Sequence, residues 1–202
     1  MQKLSALAAL LATFAVSEAA ASPFTLESEG PWVRTAKDRE ACSVQADLAW
    51  CAEAAVEKVA YTEWTLEAVS GLQAKLTANF QYSYAVELPW RSHFEEAASG
   101  RRWVDDCDGL TFTMIDALAR AGYPTDKLYR AVVSPAGNAS SVAHMVGIVE
   151  VGGLYYVVGD SNHADPYPLR QARFKPLLLS KVSEGSRWKR AALNAQLRAR
   201  AD

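Results

Sequence analysis

Cys107 stands among three aspartates and leads into an apolar segment, in RRWVDDCDGLTFTMIDALARAGYP from Arg101 to Pro124. Apolar residues such as Leu110 and Met114 recur every three or four positions after it, which predicts a helix with one buried stripe. Neighbouring carboxylates raise the pKa of a thiol, whereas the backbone N–H groups at a helix start favour the thiolate. We therefore expect Cys107 at, or within one residue of, a helix N-terminus, where a cysteine can act as a nucleophile.

The three aspartates also have a structural interpretation. Asp105, Asp106 or Asp108 could cap the helix, because a carboxylate accepts hydrogen bonds from the first N–H groups and negative charge is favoured there. At the other end, Gly122 followed by Pro124 predicts the stop, since glycine readily takes the left-handed conformation of a C-terminal cap.

Further along, VAHMVGIVEVGGLYYVVGD contains two β-rich runs around Gly152 and Gly153, which predicts a hairpin. A three-residue loop beginning at Val151 would place His144 directly opposite Asp160. A two-residue loop would shift the pairing by one step and move Asp160 to the other face of the sheet. The first register is available to this sequence but is not forced by it.

Cys107, His144 and Asp160 would together supply a nucleophile, a base and a group that orients the base. The imidazole would draw the thiol proton, and the carboxylate would fix the imidazole tautomer. His163 is close enough to Asp160 in sequence to be a rival third member, whereas His93 lies in a polar loop and is predicted at the surface.

The elements that must position these residues follow a simple order. The chain between Ala41 and Ala78 reads as helical, KLYRAVV reads as a short strand, and the hairpin comes after it. Helices first and then a meander of strands packed on the central helix predict an α+β fold. The chain has 202 residues and is half apolar, which suits one domain with a substantial core.

The net charge and the N-terminal segment of the chain bear on its partners and its location. The formal net charge is -2 and no basic block stands out, so nucleic-acid binding is not expected. The chain starts with MQKLSALAALLATFAVSEAAAS, which contains a basic residue, a short apolar run and then small residues. This order is typical of a cleaved secretory signal, and the apolar run is too short for a membrane span. We expect a signal peptide at 1–21, one mature domain at 22–202, and a protein exported to an oxidising space.

The three cysteines fit that location. Cys42 and Cys51 lie nine positions apart, a spacing that a disulfide can bridge, and an exported protein with an odd cysteine suggests one bridge and one free thiol. Cys107 is then the natural free thiol. The alternative is that all three are small buried residues.

The segments DDCDGLTFTMIDALARAGYPTDKLYRAVV and AHMVGIVEVGGLYYVVGD resemble the bacterial transglutaminase-like cysteine proteinases. Members are exported and have a papain-related α+β fold, with the motif Gly-Asp-Cys-Glu-Asp opening a helix, a Gly-x-Pro turn, a His strand and an Asp strand. The resemblance covers about residues 79–169. It implies Cys107 as nucleophile, His144 as base and Asp160 as the orienting carboxylate. It also implies a periplasmic or secreted bacterial protein.

In that family the acidic residues flanking the cysteine bind calcium, and the substrate is a large surface adhesin. The resemblance therefore implies Asp106 and Asp108 as calcium ligands and a protein substrate in the cell envelope. This sequence departs from the motif, because Gly109 replaces an acidic residue and Asp105 replaces the usual glycine. Calcium takes six to eight oxygen ligands, so two carboxylates do not complete a site.

A second family is also similar. DDCDGLT followed by HMVGIVEVGG resembles the cell-wall peptidases of the Cys-His type, which cut peptidoglycan stem peptides, and there His163 could replace Asp160. A third interpretation is a catalytically inactive binding module with a transglutaminase-like fold. The side chain that would stabilise an oxyanion stays open among Asn79, Gln81 and Trp90.

Overall fold

The computed structural model describes residues 27–33, 35–51, 64–84, 89–135 and 143–192. The predicted signal peptide and the middle of the predicted helical segment, residues 52–63, lie outside the described residues. No helix in the described part of the chain is long and apolar enough to cross a membrane.

The described residues contain four α-helices, each named here with its range: α1 (Ala36–Val44), α2 (Leu66–Thr77), α3 (Phe94–Ala98) and α4 (Cys107–Arg120). The hydroxyls of Thr35 and Thr65 cap α1 and α2 by accepting a backbone N–H three residues later. The predicted helical stretch is therefore interrupted, because α1 ends at Val44 and a turn follows it.

The described residues form nine strands, with the bounds β1 (Glu27–Val33), β2 (Phe80–Tyr82), β3 (Trp103–Asp105), β4 (Leu128–Pro135), β5 (His144–Val151), β6 (Leu154–Val158), β7 (Tyr167–Pro168), β8 (Phe174–Lys181) and β9 (Trp188–Ala192). Seven of them form one antiparallel sheet in the order β1-β9-β8-β4-β5-β6-β7, and β2 pairs with β3 in parallel. The predicted meander is present as β4 to β7. The early strand β1, which closes the far edge against β9, was not predicted.

Helix α4 is the centre of the fold. It packs against β5 and β4, and its residues from Gly109 to Ala119 are all buried. It ends as predicted, because Gly122 has φ +87° and the N–H of Tyr123 donates to Leu118. A central helix on an antiparallel sheet confirms the α+β fold class.

The hairpin of β5 and β6 has the shorter of the two loops considered. Val151 pairs with Leu154, so that the loop is Gly152 and Gly153, with φ values of +57° and +76°. Two consecutive residues with positive φ are what a tight hairpin turn of this length requires. The three-residue loop, which would have set His144 opposite Asp160, is therefore wrong.

A buried ion pair attaches α1 to the sheet. Arg130 of β4 donates to Asp38 at 3.1 Å and to Ser180 at 2.7 Å, and both members of the ion pair are fully buried. The guanidinium lies over the rings of Trp50 and Trp188, and the Trp188 indole also donates to Asp38 at 2.6 Å. Burial lowers the pKa of Arg130 to about 10, with Asp38 opposing the shift.

The predicted cysteine pairing is confirmed. Cys42, in α1, forms a disulfide with Cys51, and Cys107 is free. The bridge joins α1 to the turn that carries Trp50, whose ring is fully buried in the core.

Candidate active site

Cys107 is the first residue of α4, as predicted. Asp106 is the N-cap, with its carboxylate accepting the N–H of Asp108 at 3.0 Å. The capping interpretation of the aspartates is thus confirmed for one of the three. The thiol is half-buried and lines a cleft, with the N-terminal end of the helix behind it.

Asp105 and Gly109 fit together beneath the start of the helix. A Cβ on Gly109 would lie 2.2 Å from Cγ of Asp105 and 2.7 Å from its Cβ. The Asp105 carboxylate uses this space to accept the N–H of Asp106 at 2.8 Å and to contact Nε2 of His93 at 2.8 Å. The missing side chain at position 109 therefore makes room for the carboxylate that supports the residue before Cys107.

The surface prediction for His93 is wrong. Only 3% of this residue is exposed, its ring stacks on Trp103 with centroids 5.1 Å apart, and its backbone N–H donates to Thr113. The polar loop that suggested exposure is folded over the start of α4, where the His93 ring and the Asp105 carboxylate share a hydrogen bond. The sequence pattern around His93 does not indicate this burial, because the partner of the ring, Asp105, lies in β3 and not in the same loop.

His144 and Asp160 meet despite the hairpin register. Nε2 of His144 is 3.2 Å from Oδ1 of Asp160. β6 ends at Val158, and Gly159 has φ +62°, so the alternation of faces stops before Asp160 is reached. The expectation that this register would carry Asp160 away from His144 is therefore wrong. Gly159 also passes close to α4, since a Cβ there would lie 3.3 Å from Met114.

The Asp160 carboxylate accepts three further hydrogen bonds. Oδ1 accepts the backbone N–H of Asn162 at 3.0 Å and its side-chain amide at 3.1 Å, while Oδ2 accepts the Tyr167 hydroxyl at 2.6 Å. Burial raises the pKa of Asp160, but the hydrogen bonds from His144, Tyr167 and Asn162 outweigh it and hold this pKa well below its usual range. Asp160 is therefore an anion at neutral pH.

His144 lies between that anion and the thiol. Burial is the largest influence on its pKa and lowers it, but the hydrogen bonds to Asp160 and Cys107 and the charges of both outweigh burial and raise the pKa to about 9. Because Nε2 contacts Asp160, Nδ1 is the nitrogen left for Cys107. With a pKa of about 9 the ring carries a proton at neutral pH, and an imidazolium in this position favours the thiolate form of the neighbouring cysteine.

The loop that carries Asp160 is held from α2 by a buried amide. The Gln73 side chain is 1% exposed, accepts the N–H of Gly159 at 3.1 Å and donates to the carbonyl of Ala164 at 2.7 Å. Ser70, one turn earlier, donates to Asp165 at 3.2 Å. These two hydrogen bonds of Gln73 were not predicted, because a glutamine in a helix ordinarily indicates an exposed position.

The three residues open onto a cleft of about 620 Å³. Its walls include several aromatic rings and two cations, namely Tyr82, Tyr84, Trp90, Tyr167, Phe174, Lys37 and Arg173. Tyr84 is 88% exposed and packs edge-on against Tyr82. The pKa of Tyr82 is raised first by burial and then by the charge of Cys107.

His163 is not joined to His144 by a hydrogen bond in the described part of the chain. It is exposed, and its ring packs on Tyr167 with centroids 4.1 Å apart. The carboxylate of Asp160 therefore holds the position that the alternative interpretation gave to His163.

Of the three candidates for an oxyanion side chain, Trp90 alone lines the cleft. The Asn79 amide donates to the carbonyl of Gly100 at 2.9 Å, and Gln81 accepts from Arg102. The indole N–H of Trp90 is buried and has no hydrogen-bond partner among the described residues.

A cluster of carboxylates lies beside the thiol. Oxygens of Asp105, Asp106 and Asp108 all lie within 4.8 Å of one another. Burial, the hydrogen bond to Asp106 and the charges of Asp106 and Asp105 raise the pKa of Asp108 to about 7, with Lys37 acting weakly in the other direction. The neighbouring carboxylates therefore add to the effect that burial has on the pKa of Asp108.

Comparison with known protein families and with curated proteins finds no match. Among solved structures, the chain is similar to LapG of Legionella pneumophila, at 16% identity and a TM-score of 0.48 over 70% of this chain and 81% of that one. The calcium-bound and EGTA-treated structures of LapG are each 19% identical, with a TM-score of 0.44 over 68% of this chain and 78% and 77% of theirs. Because every TM-score is below 0.5, the function has to be argued from the chain's own residues.

Proposed function

We propose that the protein is an exported cysteine peptidase of the transglutaminase-like type, with Cys107 as nucleophile, His144 as base and Asp160 as the orienting carboxylate. The observation that supports it best is the chain of contacts from Asp160 through the imidazole to a thiol at a helix start. The disulfide of Cys42 and Cys51 supports export, since such bonds persist in oxidising compartments.

The reaction follows from the order of these groups. His144 takes the thiol proton through Nδ1, and the thiolate attacks a substrate carbonyl carbon to give a tetrahedral intermediate. Collapse breaks the C–N bond, the imidazolium gives its proton to the leaving amine, and a thioester to Cys107 remains. Water activated by His144 then hydrolyses the thioester and restores the thiol. Transfer to an amine would use the same intermediate.

The first test needs no substrate. Native protein is treated with iodoacetamide over a range of pH, and the alkylation of Cys107 is followed by mass spectrometry. We expect fast alkylation near neutral pH that drops at least tenfold in His144→Ala, because the imidazole is what ionises the thiol. His163→Ala is the matched control and should leave the rate unchanged. A Cys107 that reacts no faster than a free cysteine would contradict the peptidase and favour the binding module.

The same assay separates the two peptidase classes. Asp160→Asn should slow alkylation strongly, because Asp160 and not His163 contacts His144. The cell-wall class would be favoured by the reverse pattern, with His163→Ala severe and Asp160→Asn mild.

The substrate that we propose is a protein of the cell envelope. The cleft is open and aromatic, which suits an extended polypeptide segment. The test compares envelope proteins from cells that carry wild-type protein with those that carry Cys107→Ala, by quantitative mass spectrometry of new N-termini. A cleaved protein seen only with the wild type supports the proposal, while cleaved peptidoglycan stem peptides with no cleaved protein would refute it.

We also propose that Asp106 and Asp108 bind a calcium ion. Burial is the first cause of the raised pKa of Asp108, and the charges of Asp106 and Asp105 add to it; a divalent cation would relieve that second contribution. Asp105 is less available, since both its oxygens are already engaged by His93 and the N–H of Asp106. When bound, the ion would supply positive charge beside the start of α4 and favour the Cys107 thiolate.

Calcium binding is tested by thermal unfolding in calcium, in magnesium and in EGTA. We expect a melting temperature several degrees higher in calcium than in EGTA, and no such difference in Asp108→Asn. Glu95→Gln, on the short helix α3, serves as a control for general charge effects. An equal melting temperature in calcium and EGTA for the wild type would show that the carboxylates only cap the helix.

A further inference from the structure

We infer that Tyr167 is a positioning residue, whose hydroxyl holds the Asp160 carboxylate in the orientation that serves His144. This inference rests on the proposed role of His144 and Asp160 and adds a third residue to their interaction. Tyr167 lies in the short strand β7, paired with Val157 of β6, so its backbone is fixed to the strand that leads into Asp160.

The two oxygens of the Asp160 carboxylate have different hydrogen-bond partners. Oδ1 faces His144 and also accepts both N–H groups of Asn162. Oδ2 accepts the Tyr167 hydroxyl at 2.6 Å, the shortest of these contacts. A carboxylate otherwise turns about its terminal torsion with little resistance. Asn162 holds Oδ1 beside the imidazole and the Tyr167 hydroxyl holds Oδ2, so the Asp160 carboxylate is fixed at both oxygens.

The hydroxyl also takes up part of the carboxylate's charge. A hydrogen bond to an anion stabilises the anion and makes it less basic. Without the Tyr167 hydroxyl, Asp160 would present more of its charge to His144 and would hold the imidazolium proton more tightly. Tyr167 therefore affects both the direction of the imidazole and the pH at which it loses its proton.

Other charged groups near His144 do not depend on Tyr167. Cys107 contacts the imidazole from α4. The remaining titratable or charged side chains that line the cleft are Lys37 on α1, Tyr82 in β2, Tyr84 just after it, Asp106 and Asp108 at α4, His163 beside Tyr167, and Arg173 before β8. In the described part of the chain, Tyr167 donates a hydrogen bond to Asp160 and makes a ring contact with His163. Removing the hydroxyl alone leaves the ring contact with His163 in place, so the change is confined to Asp160.

The experiment is a proton NMR titration of the imidazole rings, of which the protein has three. His163→Ala and His144→Ala assign two of the three resonances. Tyr167→Phe should raise the pKa of His144 by about half a unit to one unit, because the carboxylate beside it becomes more basic. Tyr156→Phe, which removes a hydroxyl from the neighbouring strand β6 without touching Asp160, should leave it unchanged.

A second variant distinguishes tuning through Asp160 from a general structural effect. In an Asp160→Ala background, Tyr167→Phe should no longer shift the pKa of His144, since the group that carries the effect is gone. A shift that persists in that background, or no shift in Tyr167→Phe itself, would overturn the inference while fast alkylation of Cys107 keeps the peptidase proposal. A wild-type His144 that titrates near 6.5 beside an unreactive Cys107 would overturn both.

Discussion

Gly109→Ala is the substitution whose effect on stability follows most directly from the structure. Alanine is normally the better helix residue, and at an exposed position in a helix interior it would stabilise the fold by about 1 kcal/mol. At position 109 the added Cβ would lie 2.2 Å from the carboxyl carbon of Asp105 and 2.7 Å from its Cβ. Contact with the Cβ means that a change of Asp105 rotamer cannot clear the space.

The cost follows from what Asp105 would have to give up. Displacing it separates a buried carboxylate from His93 and from the N–H of Asp106, and breaking a buried pair of this kind costs about 3–5 kcal/mol. Subtracting the helix propensity gain of about 1 kcal/mol leaves a net loss of about 2–4 kcal/mol.

The measurement is urea unfolding followed by the fluorescence of the six tryptophans. Gly71→Ala is the matched control, because Gly71 lies in α2 and nothing would be within 4 Å of its added Cβ, so that variant should gain about 0.5–1 kcal/mol. The cost of Gly109→Ala should shrink in an Asp105→Gly background, where the obstructing side chain is absent. A Gly109→Ala protein as stable as the wild type would refute the reasoning about this contact.

Three further outcomes are expected. Asp108 has a pKa raised above its unfolded value, so without calcium the free energy of unfolding should fall as pH rises from about 4 to 7, and Asp108→Asn should flatten this slope in urea titrations at several pH values. Gln73→Leu should raise hydrogen exchange of residues 159–164 while β4 and β5 stay protected, because it removes both hydrogen bonds that clamp the loop; uniform exchange across the sheet would contradict this. Arg130→Met should lower stability by about 3–5 kcal/mol by leaving Asp38 buried without its cation, measured by thermal unfolding, and Asp38→Asn added to it should recover part of the loss.

The start of α4 could be predicted because its signals are local. An aspartate cap, apolar residues every three or four positions and Gly122 at the end all act within a few residues of one another. The prediction that Cys107 lies at, or within one residue of, the helix N-terminus is therefore correct, since α4 begins at this residue. The disulfide of Cys42 and Cys51 was predictable for a similar reason, since its spacing is short.

The environment of His93 could not be read in the same way. Its partner, Asp105, is brought to it by the packing of β3 and α3, and a polar loop gives no sign that it will be covered. Strand β1 was missed because its partner, β9, lies at the other end of the described chain. Both errors come from contacts that are distant in sequence.

The meeting of His144 and Asp160 was predicted for a reason that the structure corrects. The prediction counted paired positions from the hairpin loop on the assumption that both strands stay regular up to Asp160. On that assumption, only a three-residue loop would bring Asp160 opposite His144. The chain instead uses the two-residue loop and changes direction at Gly159, where φ is positive. A glycine that ends a strand next to a polar residue was the available signal.

The tight turn of Gly152 and Gly153 lies at the opposite end of the hairpin from the triad. β5 has eight residues, so at a rise of about 3.4 Å per residue His144 is roughly 24 Å from Val151. An added Cβ at either turn glycine would meet no neighbour within 4 Å. A short affinity tag or a fluorophore inserted between the two glycines would thus report on or retrieve a trapped thioester complex without entering the cleft.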